Sequence, residues 1–395
     1  MKLRIYQWIK SLAPAVVLLN LMASCNKDLP VAEPITQPQP TGSSIAEILA
    51  DPSYSILNAA VTRAKLTGLL SDKSKVFTFF APDNAAMQFS GIPNEAAVNF
   101  FSAGQLDTLL KYHLIGGQKY TSSNISTVFP NLYLQSDFVL APPSTSLPPG
   151  LRMPIFPSKN GFGLFVNNIP VTQADIPAAN GVIHKVAAVV MPPSQYLWDR
   201  INTDPNLTYL KAAIQRADSG ATASSSLQAA LLNPAANLTI FAPTNTAFQQ
   251  ILTGQITLAL MDQGMDQATA QATATVLASS PTVFQNPALY SVLTAQVVQG
   301  IVVYHILGNR AFSVNLPTTA TNYPTLLNTA IPAHPGVSVQ ATFGLTGVTA
   351  ATVQGLGNAT ASNILINPTP APGGTSDQHY INGTIHEIDQ VLLPQ

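Results

Sequence analysis

The chain has 395 residues, 46% of them hydrophobic and only 9% charged, with a net charge of -1. Soluble domains carry about 25% charged residues, so Ser, Thr, Asn, Gln, Ala and Pro make up the difference and the surface is polar but nearly uncharged. That removes any long-range field for a polyanion and excludes nucleic acid as a partner, while the length suits two domains that each bury a core.

In chain order, Lys2, Arg4 and Lys10 give a positive start, and Leu12 to Met22 form an apolar run interrupted by Pro14 and Asn20. The run is short for a membrane span, which needs about 20 residues, and it fits the apolar region of a secretory leader. Leu21-Met22-Ala23-Ser24-Cys25 follows and resembles a bacterial lipobox, with the sole cysteine of the chain where cleavage should fall. The resemblance implies a leader over 1–24 and lipidation of Cys25. A plain signal peptide cut near Ala23-Ser24 and an uncleaved anchor are the other two readings. Residues 25–42 carry Pro30, Pro34, Pro38 and Pro40 and read as an extended tether. At about 3.1 Å per residue, about fifteen such residues reach up to roughly 45 Å.

Asp51-Pro52 opens a helix, with Asp51 capping free amides and Pro52 at the first helical position. Ile56, Leu57, Ala60, Val61 and Ala64 then make one apolar stripe. Val76 to Phe80 reads as a buried strand ending at Pro82, with Asp83 as the cap of the next helix. Leu106, Leu109 and Leu110 belong to an apolar helix that gives way at Tyr112-His113 to the strand Leu114-Ile115. A proline-rich excursion, Pro142 to Pro157, precedes strands in Phe162 to Val171. Asn180-Gly181 signals a tight turn, after which Ile183, Val186 and Val189 alternate along a last strand.

The same order recurs. Asp204-Pro205 leads into a stripe of Tyr209, Leu210, Ala213, Ile214 and Ala217; Leu238 to Phe241 is the strand, ending at Pro243 with Thr244 as cap. Leu293, Val297 and Val298 are expected on the apolar helix, before Tyr304-His305 and Ile306-Leu307. Strands fall in Gly344 to Ile366, then Pro368 to Gly374, the turn Asn382-Gly383, and an alternating strand through Ile385, Ile388 and Val391. Helices first and strands later predict α+β domains. Collinear motifs at so long a period mean two copies of one globular domain, over 43–193 and 195–395.

Three boxes carry a resemblance to the fasciclin-type domain. Thr78 to Met87 and Thr239 to Phe248 resemble its first box, which includes Pro82, Asn84, Pro243 and Asn245. Tyr112-His113 and Tyr304-His305 resemble its central pair. Asn180 to Pro192 and Asn382 to Pro394, with His184 and His386, resemble its closing box. The resemblance implies, in each copy, a β-wedge packed against a helical bundle, together with extracytoplasmic adhesion. It also points to Tyr112, His113, Tyr304 and His305 as a candidate adhesion motif, because that region is implicated in partner binding among animal relatives. The interval from Pro82 to His113 is half that from Pro243 to His305, so the second copy carries an insertion near 251–288, read as an added helix and loop.

A buried imidazole that hydrogen-bonds nearby backbone is the structural reading of His113 and His305. Asn180 and Asn382 are read as shaping turns, and His184 and His386 as strand residues facing away from Ile183 and Ile385. His334 and His379 fall in loops without counterparts. His386-Glu387 lacks the second histidine of a zinc helix. No phosphate loop or nucleophile elbow appears, so no metal, cofactor or enzymatic activity is expected.

These readings predict a lipid-anchored protein of the cell envelope, an outer-membrane lipoprotein exposed at the surface or in the periplasm. It would bind an extracytoplasmic protein, a matrix component or a glycan. The alternative is a carbohydrate-binding accessory of a nutrient-uptake system, using Tyr196, Trp198 and Tyr323 as platforms.

Overall fold

The computed structural model describes residues 40–127, 129–141, 150–344, 347–367 and 374–395. The leader, Cys25 and most of the tether lie outside the described residues, as do 142–149 of the first proline-rich excursion and 368–373 of the second. Residues 41–395 form one compact unit. Among the described residues no helix is long and apolar enough to cross a membrane.

The first domain opens with α1 (Ile45–Ile48), α2 (Ser55–Arg63) and α3 (Thr67–Ser71). Asp51 caps as expected, accepting from Ser53 N, but Pro52–Tyr54 is a tight 3-10 turn and the α-helix begins only after it. The predicted stripe of α2 is buried in full. Strand β1 (Phe77–Pro82) leads into α4 (Asn84–Phe89), capped by Asp83, then α5 (Ala103–Tyr112) and β2 (Leu114–Gly116). Strands β3 (Leu134–Ala141), β4 (Leu151–Ile155), β5 (Pro157–Asn160), β6 (Gly163–Val166), β7 (Ile169–Ala178) and β8 (Gly181–Val186) complete it. The described end of the proline-rich excursion is therefore strand, because β4 pairs β3 from Leu134↔Ile155 onward.

The second domain repeats this with α6 (Leu197–Thr203), α7 (Thr208–Ala217), α8 (Leu227–Leu232), β9 (Leu238–Pro243), α9 (Asn245–Asp262), α10 (Gln267–Ala278), α11 (Ala295–Tyr304) and β10 (Ile306–Leu307). It closes with β11 (Thr321–Tyr323), β12 (Val337–Gly344), β13 (Gly347–Gln354), β14 (Ser362–Ile364), β15 (Gln378–Tyr380) and β16 (Gly383–Ile388). The insertion is a helical hairpin: where α4 has 6 residues, α9 has 18 and turns back as α10. Two sequence expectations change here. Leu293 lies before α11, whose cap is Thr294, and Val297 faces outward at 49% exposure instead of into the core. His379 is on β15, not in a loop.

Each domain is closed by its last strand lying parallel to its first. β8 pairs β1 from Phe77↔Gly181 to Pro82↔Val186, and β16 pairs β9 from Leu238↔Gly383 to Pro243↔Ile388. β1 and β9 are buried along their whole length. Phe79 and Ile240 face the helices, whereas Phe80 and Phe241 face the wedge of strands, so each sheet separates two cores. Gly181 has φ 150° and sits so near β1 that a Cβ would fall 1.9 Å from Phe77 O, which only glycine accommodates.

Asn180 and Asn382 do more than form the turn. Asn180 Oδ1 accepts from Ile45 N at 2.8 Å and its Nδ2 donates to Leu70 O at 2.8 Å. Asn382 does the same between Leu197 N (3.0 Å) and Leu231 O (2.8 Å). One buried amide thus joins the closing strand to the ends of two helices. Replacing Asn180 with Leu orphans a buried donor and acceptor at about 1–3 kcal/mol each. The expected loss is roughly 3 kcal/mol by urea denaturation, and a change below about 0.5 kcal/mol, the range of neutral surface substitutions, would contradict this role.

Candidate functional site: the tyrosine-histidine junctions and the domain interface

At the end of α5 and of α11 the chain must turn directly into a strand beside β1 or β9, and a Tyr-His pair makes each turn. Tyr112 closes α5 and donates from its hydroxyl to Pro154 O at 3.2 Å; Tyr304 closes α11 and donates to Gly336 O at 2.7 Å. His113 Nδ1 donates to Leu109 O at 2.8 Å while its Nε2 accepts from Val190 N at 2.9 Å. His305 repeats this with Ile301 O (2.7 Å) and Leu392 N (2.8 Å). Each ring satisfies a loose helical carbonyl and pins the segment after the closing strand. All four side chains are buried, so none offers a surface to a partner.

The closing-box histidines occupy the other face. His184 Nε2 donates to Tyr120 O at 2.8 Å, and His386 Nε2 to Ala311 O at 3.0 Å. Their Nδ1 atoms accept from Asp175 N and Asp377 N, both at 3.3 Å. Those aspartates sit in the left-handed region, φ 62° and 53°, which Asp tolerates better than most residues. Their carboxylates hold Ser122 in the first domain and Ser313 in the second. Asp175, Asp377, Ser122 and Ser313 escaped the sequence reading. The signal was there: each aspartate lies at one fixed offset before its histidine.

Asn84 and Asn245 fasten the first helices. Asn84 Oδ1 accepts from Ile56 N at 3.1 Å and Nδ2 donates to Pro52 O at 2.9 Å; Asn245 does so with Tyr209 N (3.2 Å) and Pro205 O (2.8 Å). Each lies just past Pro82 or Pro243, where the buried strand ends. Tyr196 packs against the wedge-side core of the first domain, Trp198 is buried in the helical core of the second, and Tyr323 meets the Phe129 ring edge-on at 4.7 Å. None stands free as a sugar platform. Among the described residues no three His, Cys, Asp or Glu side chains gather closely enough to hold a metal.

Arg310, unremarked in the sequence, is 1% exposed and stands between the domains. Its guanidinium lies 4.8 Å over the Phe156 ring of the first domain. It donates to Tyr380 O (3.0 Å), Ile381 O (3.2 Å), Asn237 Oδ1 (3.1 Å) and His379 Nε2 (2.6 Å). Asn131 of the first domain donates to Arg310 O at 3.1 Å, and Asn160 to Val314 O at 2.8 Å. Phe156 meets Phe312 at 6.1 Å, and Phe162 stacks on Phe343 at 4.7 Å. Burial lowers the Arg310 pKa to about 10, which leaves it charged at neutral pH. Burial and the adjacent guanidinium together keep His379 neutral.

With this geometry in place, the comparisons define the class. The fasciclin domain family model matches residues 52–192 and 219–394, and the chain belongs to that family, as a tandem pair of its domains. Among relatives, transforming growth factor-beta-induced protein ig-h3 of Sus scrofa is 32% identical over 156 residues, which is 39% of this chain and 20% of that protein. Protein sll1483 of Synechocystis sp. is 30% identical over 187 residues, 46% of this chain and 91% of that protein. This chain therefore spans about a fifth of the length of the ig-h3 protein. A solved FAS1 domain pair from the insect cell adhesion molecule fasciclin I aligns over 88% of this chain and 95% of that one, at 15% identity and a TM-score of 0.34.

Two predictions follow from the buried cations and rings. Desolvation holds His113 and His305 down at about 4, and the hydrogen bond each makes to a helical carbonyl offsets this only in part. In the unfolded chain they titrate near 6.5. The folded state thus takes up these protons later, so stability is complete above pH 6.5 and falls as pH drops toward 4, by roughly 3 kcal/mol per histidine. His184 acts in the same sense, whereas Asp137 and Glu387, raised by burial, oppose it. Urea midpoints at neutral and acid pH should show the loss, and a double His113→Gln, His305→Gln variant should remove the share of these two histidines while His184 and His379 keep theirs. For Arg310→Ala, calorimetry should resolve two transitions where the parent shows one, with a loss of about 3 kcal/mol from hydrogen bonds to a charged group; a single unshifted transition would show that Arg310 does not couple the domains.

Proposed function

We propose that the chain is a lipid-anchored adhesion and interaction protein of the cell envelope. Residues 1–24 are its leader, Cys25 is the acylated residue, 25–42 is the tether, and 43–193 and 195–395 are the two fasciclin domains. Family membership supports an extracellular or envelope role for these domains, and the insect fasciclin I is by title a cell adhesion molecule. The lipobox and the proline-rich run support the anchor and the tether.

The observation that carries the reading is the interface around Arg310, which packs the two domains against each other within one compact unit. A pair packed in this way loses less entropy on binding than two loosely linked domains. With 9% charged residues, its contacts to an outside protein, matrix component or glycan rest on hydrogen bonds and apolar area, with little salt dependence. Tyr112, His113, Tyr304 and His305 serve this by holding the fold from inside.

Deletion of the gene should reduce cell adhesion or aggregation equally at low and high ionic strength. The parent chain should restore it, and Cys25→Ser should release the protein to the soluble fraction and fail to restore it. Adhesion unchanged by the deletion would remove this reading.

A further inference from the structure

Arg310 and His379 are two bases in direct contact, an arrangement that suits only one protonation state. A guanidinium can only donate. His379 Nε2, 2.6 Å from Arg310 Nη1, is therefore the acceptor and carries no proton. The single proton of the neutral ring then sits on Nδ1. Beside Nδ1, at 3.4 Å, lies Asn167 Nδ2, itself a donor that already serves the Tyr112 hydroxyl at 3.1 Å. Asn167 cannot turn its oxygen to the ring without giving up Phe156 N, from which Oδ1 accepts at 3.0 Å.

The imidazole stands in the seam between the domains. Phe312, at 5.5 Å, belongs to the second domain, whereas Phe156 and Tyr112, each at 6.4 Å, and Asn167 belong to the first. Among the described residues no carboxylate acts on either base. The groups that do are Tyr112 and Tyr133, whose phenols burial keeps protonated. On the same strand, Asp377 turns its carboxylate to Ser313 N and Oγ, both at 2.6 Å. On the neighbouring β16, His386 is held by Ala311 O and Asp377 N, and Glu387 shares Arg200 with Asp204.

A proton on Nε2 would abolish the bond to Arg310 and set a second positive charge beside the first, with no counter-ion. Arg310 has three further acceptors, Tyr380 O, Ile381 O and Asn237 Oδ1, and stays in place. The imidazole is the member that must move out to water, and Phe156 and Tyr112 of the first domain lose the ring they pack against. We propose that His379 is an acid-sensitive latch between the two fasciclin domains, and that its protonation releases the first domain from the second. This does not rest on the adhesion reading. An exposed imidazole titrates near 6.5, while burial and Arg310 hold His379 well below that in the closed pair. Closure is therefore complete above pH 6.5 and weakens about tenfold per unit below it, roughly 30-fold at pH 5.

The test is small-angle X-ray scattering of the full chain from pH 7 to pH 4, with far-UV circular dichroism on the same samples. The radius of gyration should rise reversibly while the helical signal is retained. The nitrogen NMR shift of His379 Nε2 should report protonation with the same midpoint. His379→Gln keeps an acceptor for Arg310 and takes up no proton in this range, so it should stay compact to pH 4. The double His113→Gln, His305→Gln variant should expand as the parent does, since those rings are buried inside the domains. No expansion before the helical signal falls, protonation of His379 without expansion, or expansion of His379→Gln at the parent's midpoint would overturn the proposal.

Discussion

The parallel pairing of the first and last strands of each domain is the constraint on which the rest depends. β1 and β8, or β9 and β16, come from opposite ends of a domain, and both faces of the first strand are covered. Along these four strands every residue is buried except Lys185, which is partly exposed. A buried unpaired donor or acceptor costs about 1–3 kcal/mol, a large part of a typical domain's net stability of about 5–15 kcal/mol. The polar side chains near the pair therefore act as fasteners. Asn180 and Asn382 hold helix ends, His113 and His305 hold a helical carbonyl and the exit segment, and Thr78 and Thr239 hold the chain after β2 and β10. Thr78 Oγ1 accepts from Tyr120 N at 2.8 Å and donates to Gln118 O at 3.0 Å; Thr239 Oγ1 treats Ala311 N (2.8 Å) and Asn309 O (2.7 Å) alike.

Where the two copies differ, the change is compensated locally. In the first domain Lys185 of β8 pairs with the helix cap Asp83 at 3.3 Å. The second domain has Glu387 at the strand position and Thr244 at the cap, so Glu387 meets no carboxylate at the cap and faces Asp204 instead. Arg200 of α6 supplies the missing cation, 2.6 Å from Asp204 and 3.4 Å from Glu387. The main-chain frame is the same in both, and the charge has moved to the other side of the strand. Removing one member of such a buried pair costs more than exchanging the whole pair, which is why the positions change together.

The sequence made the repeated order, the α2 and α7 stripes, the buried strands and the helix caps legible, because each is a local pattern with a period or a cap spacing of its own. What it hid depends on distant partners. Asn180 looks like a turn residue from its neighbours, and only the fold brings it to Ile45 and Leu70. His379 has no histidine counterpart in the first copy, and the interface it builds with Arg310 exists once, so no internal repeat could expose it. Val297 differs for another reason: apolar residues at helical spacing imply a core face, but Val297 turns outward with Gln296 and Gln299 while its neighbour Val298 fills the core.

Arg310 sets how far the halves can act separately. A guanidinium taken out of water without a carboxylate has to recover its solvation from neutral groups. The acceptors here are two main-chain carbonyls of the second domain, Asn237, and a histidine kept neutral beside it. The remaining face is covered by Phe156, which belongs to the first domain. Separating the domains would strip that ring from the cation and expose Phe312 with it. The first domain would also lose the Asn131 and Asn160 bonds at the same moment. Opening the interface would therefore lose the cation-ring contact, the Phe156–Phe312 contact and both cross-domain hydrogen bonds together.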